Sequence, residues 1–125
     1  MSKAVELTAL DARIAEYGPA AFLVTVGDDG RPHVVSVQVD WDGERMAMGA
    51  GRTTRGNLAA RPDATLLWPA PPGGDYSLLV DGLVDGLVDG PADGADTVTV
   101  VPGSAILHRV AGATGDGPAC RPVTS

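Results

Sequence analysis

The sequence predicts a small, mainly β protein of the α+β class whose sheet closes into a barrel, and three observations lead there. The chain holds 17 glycines and 10 prolines among 125 residues, and both types are unfavourable inside helices. Helical spacing of apolar residues is clear in one segment near the start. The other apolar residues fall in about six or seven short runs separated by turn residues, which is typical of strands. Closing such a sheet removes its exposed edges.

Composition limits the function classes. A chain of 125 residues can bury one core, and 44% hydrophobic residues exclude wholesale disorder. The formal net charge of −7 repels phosphate backbones and anionic lipids, so we expect no nucleic acid and no membrane as partner. No apolar run approaches the roughly 18 residues of a membrane helix, the start does not resemble a secretion signal, and the lone Cys120 cannot form an internal disulfide. We expect a cytoplasmic protein without a metal site.

The first element is a helix over about Thr8 to Tyr17. Three apolar residues recur there at helical spacing: Leu7, Leu10 and Ile14. Thr8 and Asp11 stand three apart, as in a reciprocal N-terminal cap. Gly18 and the proline after it predict the end of the helix.

The next segment predicts a meander of three antiparallel strands: Ala21–Val26, Pro32–Trp41 and Arg45–Ala50. Asp28 to Gly30 and Asp42–Gly43 are the turn signals between them. Within the middle strand, apolar and polar residues alternate: Val35, Val37 and Val39 on one face, Ser36, Gln38 and Asp40 on the other.

A short connecting helix follows, capped by Thr53 or Thr54 and stopped by Pro62. A fourth strand is predicted at Ala64–Trp68, then an irregular loop at Pro69–Gly74. Tyr76 begins another strand.

This strand enters a tandem repeat: from Leu79 to Gly90 the tetrapeptide Leu-Val-Asp-Gly occurs three times. Four residues are two strand periods, so every Leu and Asp share one face, and a slip of four residues restores equivalent positions. We expect the strand to last until about Val84 and then to give way to a turn or loop. The last predicted strands are Thr97–Val101 and Ala105–Val110. We expect one domain that covers residues 1–111, followed by a flexible tail over residues 112–125.

The densest chemistry lies at Arg52-Thr53-Thr54-Arg55-Gly56-Asn57. Two guanidinium groups, two hydroxyls and an amide at a helix start suit an anionic group such as a phosphate. The alternative is a solvated helix start whose arginines pair with nearby acids.

Several pieces of the chain, in their order, resemble the pyridoxamine 5′-phosphate oxidase-like family of flavin-binding split barrels. They lie between Leu7 and Arg109: Phe22-Leu23-Val24-Thr25-Val26, Asp29-Gly30-Arg31-Pro32-His33-Val34, Trp41-Asp42-Gly43, Thr53-Thr54-Arg55-Gly56-Asn57-Leu58 with Pro62, and Tyr76 to Gly82. The resemblance implies a six-stranded split β-barrel with one N-terminal and one short connecting helix. It also implies a homodimer that binds FMN, or the deazaflavin coenzyme F-420, in a cleft between subunits. Some members use haem.

The resemblance also implies binding residues. By the resemblance, the cofactor phosphate is bound by the following residues: Arg52, Thr53, Thr54, Arg55 and Asn57. The flavin ring falls near Ser36, Val37, Gln38 and Val39, and the opposite subunit contributes near Tyr76 or Ser77. The C-terminal Trp and Arg with which true pyridoxamine phosphate oxidases hold their substrate have no counterpart, so that activity is not expected.

The leading hypothesis is therefore an oxidoreductase that passes a hydride between FMN or F-420 and an unknown small molecule. FMN is preferred because the phosphate motif is the best-matched part. Catalytic side chains are not assigned, since hydride transfer needs no acid or base. Two alternatives stay open: a non-catalytic flavin- or haem-binding protein, in which His33 could contact the haem iron, and a bare barrel that works through partner contacts.

Overall fold

The structure, a computed structural model, describes residues 6–88, 96–111 and 120–122, which form two α-helices and a curled antiparallel sheet. A 3-10 turn, Leu7–Ala9, leads into helix α1, Leu10–Tyr17, and helix α2 is Arg52–Ala60. The strands are β1 Ala20–Val26, β2 Pro32–Gln38, β3 Asp40–Trp41, β4 Met46–Gly49, β5 Asp63–Trp68, β6 Tyr76–Val88, β7 Thr97–Arg109 and β8 Cys120–Pro122. Among the described residues, neither helix has the length and apolar character needed to cross a membrane.

The sheet curls because one chain segment forms both of its ends. Its strand order is β2-β1-β5-β6-β7-β4-β3, with β8 paired to β7. Strands β2 and β3 are at opposite ends of this order, yet only Val39 separates them in sequence. The N–H of Val39 still donates to the carbonyl of Pro19 at 2.8 Å, in the register of the β1–β2 ladder, and the chain leaves β1 after this residue. If β2 and β3 are taken as one bent strand, six strands curl around the core, which confirms the predicted fold class.

The predicted meander is confirmed in its first hairpin and in the part of its second hairpin where Asp40–Trp41, the end of the predicted middle strand, pairs with the third strand. Strands β1 and β2 pair over their whole length, and Gly30 takes the left-handed φ of 77° in the turn between them. Strand β4 does not pair with β2; it pairs with β3 on one side and β7 on the other. The bend at Val39 carries the chain away from β1, and local alternation contains no signal for that bend.

Both helices are confirmed, but the predicted caps are wrong. Thr8 lies in the 3-10 turn, and α1 has no side-chain cap at its N-terminus. The helix ends as predicted at Gly18, whose φ is 87° and whose N–H donates to the carbonyl of Ile14 at 2.8 Å. Helix α2 begins after an extended Gly51, so Thr53 and Thr54 lie inside its first turn instead of capping it.

The repeat segment forms more strand than predicted. Strand β6 runs without interruption to Val88, and the two predicted strands that follow are one strand, β7. The predicted alternation is confirmed, since Val80 is buried while Asp81, Leu83 and Asp85 are exposed. The predicted loop beyond Val88 and most of the tail lie outside the described residues; within that tail, β8 pairs with β7 at residues 106–108.

The core fills the inside of the curled sheet. Its largest fully buried side chain is Trp68, whose indole N–H donates to the carbonyl of Gly18 at 2.8 Å. Leu10 and Ile14 of α1 and Leu58 of α2 are buried in the same cluster. Both helices are therefore fixed against the sheet by apolar burial, which stabilises by about 1.5–3 kcal/mol for each fully buried large side chain.

A polar network crosses the outside of the sheet at β6. The carboxylate of Asp85 accepts hydrogen bonds from the hydroxyl of Thr99 and the guanidinium of Arg45, each at 2.6 Å. These two donors stabilise the ionised carboxylate and hold the pKa of Asp85 below its ordinary value.

We expect Asp85→Asn to lower the free energy of unfolding at neutral pH and to have no effect in strong acid. The folded state lowers this pKa, so the carboxylate stabilises the fold above the unfolded-state pKa of about 3.9, and the stabilisation is lost as the pH falls below it. Urea unfolding of both proteins at neutral and acid pH measures this. A difference that persists in acid would mean that the amide disturbs the strand.

We expect Gly82→Ala to destabilise the protein by about 1–3 kcal/mol, the usual range for an overpacked site. A Cβ at Gly82 would collide with the carbonyl oxygen of Val101 and lie 2.8 Å from Cγ1 of Val100. Gly56→Ala in α2 is the control: apart from its chain neighbours and the nearby helix backbone, no atom lies within 4 Å of its Cβ, and alanine is the better helix former. Denaturant unfolding should rank Gly56→Ala at or above wild type and Gly82→Ala well below it.

Candidate functional site

A groove of about 300 Å³ lies between β2 and the start of α2. Its β2 wall consists of His33, Val35, Ser36 and Val37, and its other wall is the continuous segment 49–54. His33, Val35 and Val37 alternate along β2 on its core-facing side, where burial increases towards Val37. The groove thus has two valines between polar side chains at its β2 wall and is polar at the helix.

The link between β4 and α2 turns the N-terminus of the helix towards this groove. The N–H of Ala50 donates to the backbone carbonyl of Asp96 at 3.0 Å, and the first intrahelical bond joins the N–H of Arg55 to the carbonyl of Gly51, also at 3.0 Å. No side chain caps the helix. The N–H groups of the first turn therefore have no intrahelical acceptor and are available to a ligand.

Three of the predicted phosphate ligands line the groove. Arg52 and Thr53 are exposed, whereas Thr54 is buried. Within the described part of the chain no acid forms an ion pair with Arg52. A guanidinium, a hydroxyl and free backbone donors thus meet at one place.

Arg55 is placed differently, because its side chain does not line the groove. Its Nη1 lies 3.2 Å from Oδ2 of Asp96, and both side chains are partly exposed. The alternative raised by the sequence, arginines paired with the protein's own acids, therefore applies to Arg55 and not to Arg52.

Asn57 is held inside the protein. Its side-chain amide donates to the hydroxyl of Thr25 at 3.1 Å, and both residues are buried. This bond ties α2 to β1, so Asn57 positions the helix and does not line the groove.

The residues predicted near the flavin ring are divided by the fold. Val37 lines the groove, while Gln38 is exposed outside it and Val39 is buried in the core beside α1. Tyr76 and Ser77 open β6 and pair with the far end of β7, twelve residues from the Thr97 that pairs with Gly49. Within one chain they are remote from the groove; the sequence assigned them to the opposite subunit's cleft.

Sequence reasoning raised His33 only as a possible contact to a ligand or haem iron, and it missed the segment 49–51 as lining residues. The shared parity of His33 and Val37 was a usable signal for the first. The second depends on β4 ending beside β2, which follows from the bend at Val39. Among the described residues no cluster of three or more His, Cys, Asp or Glu could hold a metal ion.

Comparison with known proteins gives relatives and a fold. An uncharacterised protein of Mycobacterium bovis is 40% identical over 118 residues, which cover 86% of this chain and 82% of the relative. No family model matches the chain.

The solved structures that resemble this chain include an F-420 reductase, 27% identical with a TM-score of 0.60, covering 71% of this chain and 90% of that one. A Clostridium acetobutylicum protein of the pyridoxinephosphate oxidase family shares the fold at 11% identity and a TM-score of 0.65, covering 84% of this chain and 91% of that one. An FMN-binding protein of Syntrophomonas wolfei shares it at 7% identity and a TM-score of 0.62, covering 78% and 82%.

Together, the curled six-strand sheet, the uncapped helix beside β2 and these likenesses show that the chain has the fold of the pyridoxamine 5′-phosphate oxidase-like proteins.

Proposed function

We propose that this protein is an oxidoreductase that binds FMN or the deazaflavin F-420 and transfers a hydride to or from a small molecule. The observation that carries the proposal is the groove at the N-terminus of α2, where Arg52 and Thr53 stand beside free backbone donors. Solved structures with this fold include an F-420 reductase and an FMN-binding protein, which supports a flavin-type cofactor.

The donor set fits a phosphate. A guanidinium donates in a fork that matches two phosphate oxygens, and such charge-assisted bonds are about twice as strong as neutral ones. The positive end of the α2 dipole adds about 0.3–1 kcal/mol in favour of an anion. Arg52 would bind the phosphate directly, Thr53 would donate its hydroxyl, and the first-turn N–H groups would complete the site.

The β2 wall fits the remainder of the cofactor. Val35 and Val37 present apolar surface in line with the phosphate donors, and His33 stands at the outer end of that wall. A volume of about 300 Å³ is at the lower end of the range for ligand pockets. One chain would therefore enclose the phosphate end, and the ring would lie partly against a second chain.

The bound cofactor would supply the hydride chemistry itself. What this chain contributes is position and environment: Arg52 and the helix fix the anionic end, and the valines of β2 exclude water from one side of the cleft. No carboxylate lines the groove among the described residues.

We also propose a homodimer, supported by an apolar ladder across the outer face of the sheet. Four outward side chains of neighbouring strands stand opposite one another: Phe22, Leu67, Leu79 and Ile106. Beside them Val34 is 55% exposed. A contiguous apolar surface of this kind is typical of an interface, and a second copy would present the same surface in a two-fold arrangement.

We expect Arg52→Gln to weaken FMN or F-420 binding by about ten- to a hundredfold, the usual loss of a charge-assisted contact worth about 1.5–3 kcal/mol. Binding of riboflavin, which has no phosphate, should be unchanged. Arg61→Gln is the matched control, because Arg61 lies at the other end of α2 and pairs with Asp28 at 2.6 Å. Fluorescence titration gives all the constants, and equal losses for riboflavin and FMN would remove the phosphate from this groove. Turnover with reduced nicotinamide or reduced F-420 then separates an enzyme from a carrier.

For the dimer, we expect light scattering to give twice the chain mass for wild type and a monomer for Val34→Glu, since the ladder would have to bury the new charge. Leu83→Glu is the control: Leu83 is 53% exposed on the same face but four residues along β6 from the ladder. A wild-type monomer at every concentration contradicts the proposal.

A further inference from the structure

We propose that Asp96 is a specificity-determining residue, which makes the groove prefer a singly charged phosphodiester to a doubly charged phosphomonoester. The inference rests on the proposed function and deepens it, because it concerns which anionic cofactor the same groove selects. FMN ends in a phosphomonoester, and F-420 carries its phosphate as a diester.

The charge around the groove comes mainly from one of its two arginines. The motif has two arginines, but the carboxylate of Asp96 lies 3.2 Å from the guanidinium of Arg55. The charges of Arg55 and Asp96 therefore nearly cancel at the groove. Arg52 therefore supplies the net positive charge, about one unit, and no acid lines the groove among the described residues.

A backbone hydrogen bond fixes the position of Asp96. Its carbonyl accepts the N–H of Ala50 at 3.0 Å, and Ala50 lines the groove. Asp96 is thus one hydrogen bond from the groove wall, with a carboxylate that is 39% exposed. From this position its carboxylate neutralises Arg55 beside the groove without lining the groove itself.

The phosphomonoester and the phosphodiester differ in charge. At neutral pH a phosphomonoester carries about −1.5 to −2, because its second pKa is near 6, and a diester carries −1. One unit from Arg52 balances the diester. The additional charge of the monoester has no further positive charge to balance it, because Asp96 neutralises Arg55, and the formal net charge of the protein is already −7.

The experiment compares three ligands with the same ring: FMN, the monomethyl ester of FMN and riboflavin. F-420 is measured beside them. The quantity of interest is the ratio of the dissociation constants for FMN and its methyl ester, obtained by fluorescence titration of the full chain. We expect wild type to bind the methyl ester more tightly. We expect Asp96→Asn to shift the ratio about tenfold towards FMN, the size that one partly screened unit charge gives at this range.

Two variants control for other effects. Asp96→Glu retains the charge and should retain the wild-type ratio. Asp28→Asn removes a carboxylate from a comparable ion pair, with Arg61 at the far end of α2, and should leave the ratio unchanged. A measurement without any variant adds to these: raising salt from about 0.05 M to about 0.5 M should reduce the discrimination of wild type, since the Debye length shortens severalfold.

The outcomes are distinguishable. An unchanged ratio in Asp96→Asn, with all phosphorylated ligands still bound, overturns the role of Asp96 and leaves the proposed function intact. Failure of wild type to bind any of the flavins or F-420 overturns the proposed function, and the role of Asp96 with it.

Discussion

The sharp bend at Val39 is the constraint on which the molecule depends. The residues before it form one edge of the sheet and the residues after it form the other, so the covalent chain holds the sheet in a curl. The same bend brings β4 back to β7 and delivers the start of α2 next to β2. The two walls of the groove meet because of it, since each wall comes from a different side of the bend. Burial of Leu58 and the bond between Asn57 and Thr25 then fix the angle at which the helix meets the groove.

Electrostatics gives this groove its character within an acidic protein. Most of the surface repels anions, so binding one requires local donors that are not already neutralised. Arg52 and the uncapped first turn of α2 provide them. The Arg55–Asp96 pair works in the opposite direction, since it keeps a second positive charge beside the groove from acting at full strength. An anion site with such a moderate charge is suited to selectivity between anions more than to maximal affinity.

The sequence correctly predicted the features that depend on residues close to one another in the chain. The helix ended by Gly18, the hairpin at Gly30 and the alternation along β2 were all visible as spacing and turn chemistry. The pairing of β4 with β7 was not, because the bend that brings the two strands together is set by long-range packing. The two arginines show the same division: the sequence grouped Arg52 with Arg55, but an acid forty-one residues further along the chain separates their roles. Asn57 was similarly misplaced, since a buried partner such as Thr25 becomes visible only when α2 lies on β1.

The most direct test of the central claim is a backbone-assigned NMR titration of the protein with F-420 and with FMN. If the N-terminus of α2 holds the cofactor phosphate, the amide resonances of Arg52, Thr53 and Thr54 should shift most strongly, and those of β2 from His33 to Val37 should follow. Riboflavin should shift the β2 resonances but leave the helix start nearly unchanged. Strong shifts confined to the separate cavity beside Leu7 and Trp41, with a silent helix start, would contradict it.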